Sequence, residues 1–422
     1  MSDYFNDAQK AKEKLATVSD SFCLAKWKQV SLHLTTGHTN SCYHPPLHKI
    51  PIGPLLDNPS ALHNTEHKKQ SRREMMKGTK CTDCNYCWNI EAQDNISDRH
   101  YRSGERWAMD SFDDIVNNPE ADVNPSYVEV NFNNVCNLSC SYCSPQFSST
   151  WTQESKEKGA WPTSTPHNDP IHFIGERRAI PNREENPYRE AFWRWWPDLY
   201  KDLKPKIDLH LNTTSNFSID SRVWDKYKEY VQRLCQGEQI EHFMQFVSLD
   251  TVGKQAEYIR HGLDFELAKS RTEEFVRDIP YRSSLTFIIT MSNLNIIKLK
   301  ELLEYILYLR KTYTDTYQRI WFDTPLLYTP EWQSLQILPS SYTMCLEECV
   351  DFMNDNLHEM HGFKDYEILK MKRDIDWMKR GTQDIDRKRN DFYRFFNEHD
   401  KRRGTNFLET FPEMKTFWEQ CQ

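Results

Sequence analysis

From Pro125 onward, short runs rich in β-branched and aromatic residues alternate with longer segments of helical periodicity. This alternation constrains the fold most, because it is typical of an α/β domain in which crossover helices join parallel strands. The predicted strands are Tyr127–Phe132, Ile207–Leu211, Phe243–Leu249, Ser284–Met291 and Arg319–Phe322. The predicted helices between them are Tyr188–Leu203, Arg222–Cys235, Phe265–Arg277 and Leu294–Lys311. The sequence therefore predicts the α/β fold class.

The segments before and after the predicted α/β domain differ from it in composition. Residues 1–124 are rich in His, Pro and polar residues and contain five of the twelve cysteines. Residues 331–422 read as helices dense in charge, including Tyr366–Lys379 and Asp384–Phe396. We therefore expect a small cysteine-rich domain over 1–124, the α/β domain over 125–330 and a helical C-terminal extension over 331–422.

The sequence also restricts the compartment and the partners. No run approaches the roughly eighteen apolar residues that span a bilayer, and the N-terminus lacks the pattern of a signal peptide. We therefore expect a cytoplasmic protein with no membrane partner. The formal net charge of −8 argues against a nucleic-acid partner, because neutralising phosphates requires a basic face. In a reducing compartment, clustered thiols indicate metal ligands or catalytic groups rather than disulfides.

Three thiols follow the first predicted strand of the α/β domain. Cys136, Cys140 and Cys143 form a Cys-x3-Cys-x2-Cys loop. Three thiolates are one fewer than a cubane iron–sulfur cluster needs for full protein ligation, and a site built for chemistry keeps one position open. The loop therefore predicts a metal centre with one exchangeable position. The alternatives are a zinc site closed by a distant Cys or His, and unrelated buried cysteines.

The run from Cys136 to Cys143 resembles the signature of the radical S-adenosylmethionine (SAM) enzymes, in its Cys-Asn-Leu opening and in the aromatic Tyr142 before the third cysteine. The resemblance implies a partial (β/α) TIM-like barrel. It implies that the three cysteines hold a 4Fe-4S cluster whose open iron binds SAM, and that Tyr142 packs near the adenine. In that family, reductive cleavage of SAM gives a 5′-deoxyadenosyl radical that abstracts hydrogen from a substrate.

Two later segments are also similar to this family. Leu209–Asn216 is similar to the end of its third strand, and Val247–Asp250 to its fourth strand, followed by a similar turn at Glu257–Gly262. Active sites of such barrels lie at the carboxyl ends of the strands. The resemblance therefore implies polar contacts to SAM from Asn212, Ser248, Asp250 and Arg260. The alternative for each is ordinary strand-end capping and turn chemistry.

The sequence departs from the family in one respect. The Gly-Gly-Glu motif that helps to hold the amino group of SAM is absent, and the predicted helix Tyr188–Leu203 runs directly into the strand matched to the third. The predicted order of elements therefore lacks one βα unit of the family's barrel, and we expect a smaller barrel. A degenerate, non-catalytic iron–sulfur relative is therefore an alternative, as is a zinc-stapled interaction module in which both cysteine groups are structural.

A second group of cysteines lies in the N-terminal segment. Cys81, Cys84 and Cys87 form a Cys-x2-Cys-x2-Cys motif, and Cys42 upstream completes a set of four thiolates. Four thiolates suit either zinc or a fully ligated iron–sulfur cluster, and the ligand count does not choose between them.

The stretch from Phe22 to these cysteines resembles a SPASM/Twitch auxiliary-cluster domain. Here it would precede the barrel, as in a subset of relatives that are largely of phage or bacterial origin. The resemblance implies an auxiliary 4Fe-4S cluster, with zinc as the alternative and with Cys23, His38 and His44 as fallback ligands.

Together these resemblances imply a radical SAM enzyme acting on a substrate, with a peptide or protein favoured. They also imply an electron donor such as flavodoxin or ferredoxin. They assign no catalytic residue beyond the cluster ligands.

Overall fold

A computed structural model describes residues 4–34, 36–42, 44–92, 94–131, 135–145, 147–165, 201, 210–237 and 240–422. These residues form an N-terminal unit that ends at Asn131 and a C-terminal unit that begins at Val135. The predicted helix Tyr188–Leu203, apart from Lys201, and the first half of the predicted strand Ile207–Leu211 lie outside the described residues. No helix within the described ranges is long and apolar enough to cross a membrane.

The N-terminal unit contains a four-stranded sheet with the order β3-β2-β1-β4. Its strands are β1 (Gln29–His33), β2 (His38–Asn40), β3 (His48–Lys49) and β4 (Tyr127–Asn131). β1 pairs antiparallel with β2 and parallel with β4. The strand predicted at Tyr127–Phe132 therefore forms, but it joins the N-terminal sheet, whereas we expected it to open the α/β sheet. The boundary expected at residue 124 thus falls before the last strand of this unit.

Short helices complete the N-terminal unit. They are α1 (Tyr4–Ala16), α2 (Ala25–Lys28), α3 (Ile52–Asp57), α4 (Glu66–Met76), α5 (Asn85–Glu91), α6 (Asp98–Gly104), α7 (Arg106–Met109) and α8 (Phe112–Asn117). One hydrophobic core packs Phe22 and Trp27 against Phe112. A second core packs cysteine side chains against Met75 and Trp88. Four of the five cysteines of this unit therefore lie in its interior, and Cys42 is partly exposed.

The C-terminal unit is built on a parallel sheet with the order β10-β9-β7-β6. The strands of this sheet are β6 (His210–Ser215), β7 (His242–Ser248), β9 (Ser283–Ile288) and β10 (Ile320–Asp323), and β5 (Ser139–Cys140) and β8 (Arg260–His261) form a separate two-stranded sheet. Ser248 pairs with Ile288, which pairs in turn with Asp323, so the carboxyl ends of neighbouring strands finish at one edge. β9 is buried along nearly its whole length, as expected for a parallel strand covered on both faces.

Helices follow the strands of this sheet. They are α9 (Ser149–Lys158), α10 (Ser221–Gln236), α11 (Gly253–Ile259), α12 (Phe265–Asp278), α13 (Leu299–Tyr313), α14 (Thr343–Asp355), α15 (Asp365–Lys379), α16 (Ile385–Arg403), α17 (Phe407–Thr410) and α18 (Lys415–Gln420). The predictions of Arg222–Cys235 and Phe265–Arg277 are confirmed to within one residue at each end. The predicted helix Leu294–Lys311 is divided, because a 3₁₀ turn at Asn295–Lys298 precedes α13.

The C-terminal helices α14 to α18 belong to the same compact unit as the sheet. On α16, Phe392, Phe395 and Phe396 are buried, and the ring of Phe392 lies 5.1 Å from that of Phe417. An α/β fold with a parallel sheet is therefore confirmed, and its closure into a partial barrel stays a prediction.

Candidate functional site

The loop that carries Cys136, Cys140 and Cys143 is fixed by a short antiparallel pairing. β5 pairs with β8, which places Cys140 opposite Arg260. At the turn after β8, Gly262 has a φ of +96°, and a Cβ atom there would lie 2.9 Å from the carbonyl oxygen of Asn137. A side chain at this position would therefore push the cysteine loop away, and the turn requires glycine.

The same loop is bonded to residues that follow two strands of the parallel sheet. The Asn137 side chain donates to the Ser218 carbonyl at 2.7 Å and accepts from Asn216 at 3.0 Å, and both partners follow β6. The Tyr142 hydroxyl donates to Asp250 at 2.8 Å, two residues after β7. The cysteine loop therefore lies at the carboxyl ends of parallel strands, where α/β proteins place their ligands.

A buried ion pair lies beneath Cys140. Arg260 donates from Nη2 to Asp250 Oδ1 at 2.9 Å, and both side chains are buried. The backbone N–H of Thr290, after β9, donates to the same carboxylate oxygen at 2.9 Å. Arg260 also donates from Nη1 to Cys140 Sγ at 3.6 Å and lies 5.5 Å from the centre of the Tyr142 ring. Asp250 and Arg260 therefore hold the loop in place.

Burial controls the protonation of the loop. It raises the pKa of the Cys140 thiol to about 11, and the Arg260 guanidinium opposes part of that shift. Burial also raises the pKa of Cys143, with a further contribution from the neighbouring Cys140. It raises the pKa of Tyr142 well above its ordinary value. Without a metal, Cys140 and Cys143 are therefore thiols at neutral pH, and metal binding has to release their protons.

The three thiols differ in access. Cys140 is buried, whereas Cys136 and Cys143 are partly exposed. Cys140 and Cys143 each interact electrostatically with Cys136, so the three sulfurs share one end of the loop. The Cys136 backbone N–H donates to Ser149 Oγ at 3.2 Å, which ties the first cysteine to the start of α9. The first cysteine is therefore tied to α9, and two of the three thiols are partly exposed.

The structure brings some of the predicted SAM contacts together and separates another. Tyr142, Asp250 and Arg260 form one connected group around Cys140. Ser248 is the last residue of β7 and lies at the carboxyl edge of the sheet. The sequence predicts a strand that ends at Leu211, directly before Asn212. β6 instead continues to Ser215, so the exposed Asn212 lies within the strand, three residues before its end.

Other residues that hold the loop carry no sequence signal. The Gln333 side chain donates to the Ser141 carbonyl at 2.9 Å and accepts from the Ser141 hydroxyl at 2.8 Å. The indole N–H of Trp151 donates to the Cys140 carbonyl at 2.9 Å. Arg403, at the end of α16, has a side chain that is 2% exposed and that interacts electrostatically with Cys140. Gln333 and Arg403 are distant in sequence, so only the fold identifies them.

The second group of cysteines surrounds a cavity inside the N-terminal unit. The cavity encloses about 20 Å³ and opens to solvent. The cysteines on its wall are Cys23, Cys42, Cys84 and Cys87. Cys81 lies next to this wall, where a hydrogen bond with the Cys84 thiol lowers the pKa of Cys81 to about 7 and raises that of Cys84. The predicted set of four is therefore brought together, and Cys23 joins it.

The fallback histidines have other partners. Nε2 of His44 lies 2.7 Å from Asp98, and the His44 ring stacks on Tyr86 at 3.6 Å between ring centres. Nδ1 of His38 lies 2.7 Å from the carbonyl oxygen of Thr36. His44 also lines the cavity. The thiols are therefore the candidate metal ligands at this site.

No family model matches this sequence, and a search of curated proteins finds no match. The function is therefore argued from the chain's own residues.

The structure reports on the convergence of the candidate ligands. In the described part of the chain, no three His, Cys, Asp or Glu side chains converge closely enough to hold one metal ion. A zinc site needs ligands that converge on one point at about 2.3 Å for sulfur, whereas an iron–sulfur cluster spreads its ligands over several irons.

Proposed function

We propose that this chain is an iron–sulfur enzyme of the radical SAM type, in which Cys136, Cys140 and Cys143 hold a 4Fe-4S cluster with one open iron. When bound, the cluster and SAM supply reductive cleavage of SAM and hydrogen abstraction from a substrate. The observation that carries the proposal is the place of the three thiols: their loop is bonded to residues that follow parallel strands, at the edge where α/β enzymes hold their ligands.

The chain's own residues orient this site. Arg260 places a buried positive charge against Cys140, and a hydrogen bond to a ligand sulfur is one of the protein's means of tuning a cluster. Asp250 fixes both Arg260 and the Tyr142 hydroxyl, so the Tyr142 ring is held beside the loop. We assign Asp250 and Arg260 as positioning residues, because their polar atoms are already engaged within the protein.

The proposed direct contacts to SAM are made by residues other than Asp250 and Arg260. Tyr142 is proposed to pack near the adenine, and Ser248 is the best-placed polar candidate because it ends β7 at the ligand edge. Asn212 stays a candidate further back along β6. The parallel sheet is compatible with a partial barrel that lacks one βα unit, which we propose as the architecture of this domain.

We also propose an auxiliary 4Fe-4S cluster in the cysteine-lined cavity of the N-terminal unit, supported by the four cysteines that share its wall. We propose a peptide or protein substrate and an electron donor such as flavodoxin or ferredoxin, by analogy with the family. The proposed location is the cytoplasm, since all twelve cysteines are described and none forms a disulfide.

The proposal is tested by anaerobic turnover without substrate. The protein is reconstituted with iron and sulfide, given SAM and dithionite, and assayed for 5′-deoxyadenosine. The control replaces Cys136, Cys140 and Cys143 together by alanine, and Cys235→Ala serves as a matched variant at a buried cysteine outside both groups. We expect product from the protein and from Cys235→Ala, and none from the triple variant. No product from fully loaded protein would instead identify a non-catalytic iron–sulfur relative.

A further inference from the structure

The cavity in the N-terminal unit has one cysteine on its wall that lies outside the predicted ligand set of Cys42, Cys81, Cys84 and Cys87. That residue is Cys23, and it is buried at the start of α2. A fully ligated cubane needs four thiolates. We propose that Cys23 completes the ligand set of the auxiliary cluster with Cys42, Cys84 and Cys87, in place of Cys81. This inference rests on the auxiliary cluster proposed above.

Cys81 lies beside the proposed ligand Cys84 and is not on the cavity wall. It does not line the cavity, although the other two cysteines of its motif do. Its backbone carbonyl accepts a hydrogen bond from the Trp88 indole at 2.8 Å, which fixes the turn on which it lies. Its sulfur is engaged with the Cys84 sulfur. Cys81 therefore supports Cys84 from behind and leaves the cavity to the other four thiols.

Cys23 has the surroundings of a ligand. Its backbone carbonyl accepts from the Lys26 N–H at 3.1 Å, which fixes the residue at the start of α2. The Ser103 hydroxyl donates to Cys23 Sγ at 3.9 Å and accepts from the Leu24 N–H at 3.1 Å. Hydrogen bonds to ligand sulfurs are a usual feature of iron–sulfur sites. Ser103 thus links the orientation of Cys23 to the backbone of α2.

The charge of the cavity wall supplies a second, independent observation. Lys26 lines the cavity and is 3% exposed. Its ammonium interacts electrostatically with the sulfurs of Cys84, Cys81 and Cys42, and each of these interactions is stronger than the one with the carboxylate of Asp83. Among the described residues, no carboxylate forms an ion pair with it. A buried ammonium needs an anionic partner, and a cubane with four thiolates carries net negative charge.

The other charged side chains on the cavity wall have partners of their own. Arg99 pairs with Glu91 at 2.7 Å, and Arg102 pairs with Glu105 at 2.9 Å. Asp98 also lines the cavity and lies 2.7 Å from Nε2 of His44. Lys26 is therefore the counter-charge on this wall for an anionic occupant.

The test counts iron in a chain whose C-terminal site has been removed. Cys136, Cys140 and Cys143 are all replaced by alanine, and Cys23→Ser and Cys81→Ser are each introduced into that background. Every protein is reconstituted anaerobically with iron and sulfide. The measurements are iron and acid-labile sulfide per chain, and the EPR spectrum after reduction by dithionite. We expect Cys23→Ser to lose most of the cluster and Cys81→Ser to retain it.

Two further variants cover the case in which Cys23→Ser fails to fold. Ser103→Ala and Lys26→Met each remove a stabilising polar group beside the cluster, so both should shift its midpoint potential to more negative values, while Lys26→Arg should not. If Cys81→Ser loses the cluster and Cys23→Ser retains it, Cys23 is not a ligand and the proposed ligand set is wrong. The auxiliary cluster itself would still be supported by that result. Unchanged potentials in Ser103→Ala and Lys26→Met also overturn the proposed ligand set. If the chain with Cys136, Cys140 and Cys143 replaced by alanine binds zinc or no metal, the proposal of an auxiliary cluster is wrong. This conclusion holds whatever the outcome at the C-terminal site.

Discussion

The guanidinium of Arg260 donates a hydrogen bond to the Sγ atom of Cys140 at 3.6 Å and pairs with the buried carboxylate of Asp250 at 2.9 Å. One buried cation thus connects the middle cysteine of the loop to the end of β7. This connection makes the cysteine loop part of the α/β core.

Arg260→Gln should shift the reduction potential of the Cys136–Cys143 cluster to more negative values. The reason is that a positive group beside a ligand sulfur favours the reduced cluster, which carries more negative charge. Arg260→Lys, which retains the charge, should restore part of the shift. The potential is measured by redox titration followed by EPR, with the N-terminal cluster removed by Cys84→Ala. Equal potentials for the protein and Arg260→Gln would show that Arg260 does not act on the cluster.

Asp250→Asn should destabilise the C-terminal unit by about 3 kcal/mol, because it leaves the Arg260 charge buried and unpaired. It should also lower iron retention at the cysteine loop, since Tyr142 loses its charged acceptor. Urea denaturation measures the first effect and iron per chain the second.

Glu367→Gln is the matched control for Asp250→Asn. Glu367 pairs with Arg310 at 2.6 Å, and both side chains are fully buried. We expect a similar loss of stability from Glu367→Gln with unchanged iron at the loop. Loss of iron in both variants would mean that Asp250 acts only through general stability.

Gly262→Ala should reduce the iron bound at the cysteine loop by at least several-fold. A Cβ atom there would lie 2.9 Å from the carbonyl oxygen of Asn137, so the loop has to move. Gly381→Ala is the control, since Gly381 also has a positive φ, of +63°, but no atom lies within 4 Å of its added Cβ. Both variants incur the cost of about 1 kcal/mol for a left-handed alanine. Equal iron content in the two variants would contradict the steric account.

His399 should make the C-terminal unit sensitive to acid. Burial lowers the pKa of this histidine to about 3. The unfolded chain therefore binds a proton near pH 6.5 that the folded chain does not, and stability falls as the pH drops through the window from 6.5 toward 3. Between pH 6.5 and 5 this residue should cost about 2 kcal/mol. Urea denaturation at both pH values should show a smaller loss in His399→Gln, and an identical loss would exclude His399 as a source.

The strands and helices of the C-terminal unit were the most predictable part of the fold. β7, β9 and β10 lie close to where the β-rich runs placed them, because each run is short, apolar and bounded by turn residues. The partner of β4 was not predictable, since Tyr127–Asn131 pairs with Gln29–His33 through contacts that no local pattern encodes.

The candidate site was predictable where ligands lie close together in sequence. The Cys-x3-Cys-x2-Cys spacing of Cys136, Cys140 and Cys143 is visible in the sequence itself. Cys23 was considered only as a fallback ligand because no motif contains it, and its position depends on how α2 packs in the core. Gln333 reaches the loop from a distant 3₁₀ turn, and only tertiary structure brings such groups together.

The most direct test is the EPR spectrum of the reduced protein with and without SAM, recorded on a Cys84→Ala variant that lacks the N-terminal cluster. If Cys136, Cys140 and Cys143 hold a 4Fe-4S cluster with one open iron, adding SAM changes the signal, and the signal is absent when the three cysteines are alanine. A signal that SAM leaves unchanged, or a protein that binds zinc at this loop in place of iron, would contradict the account.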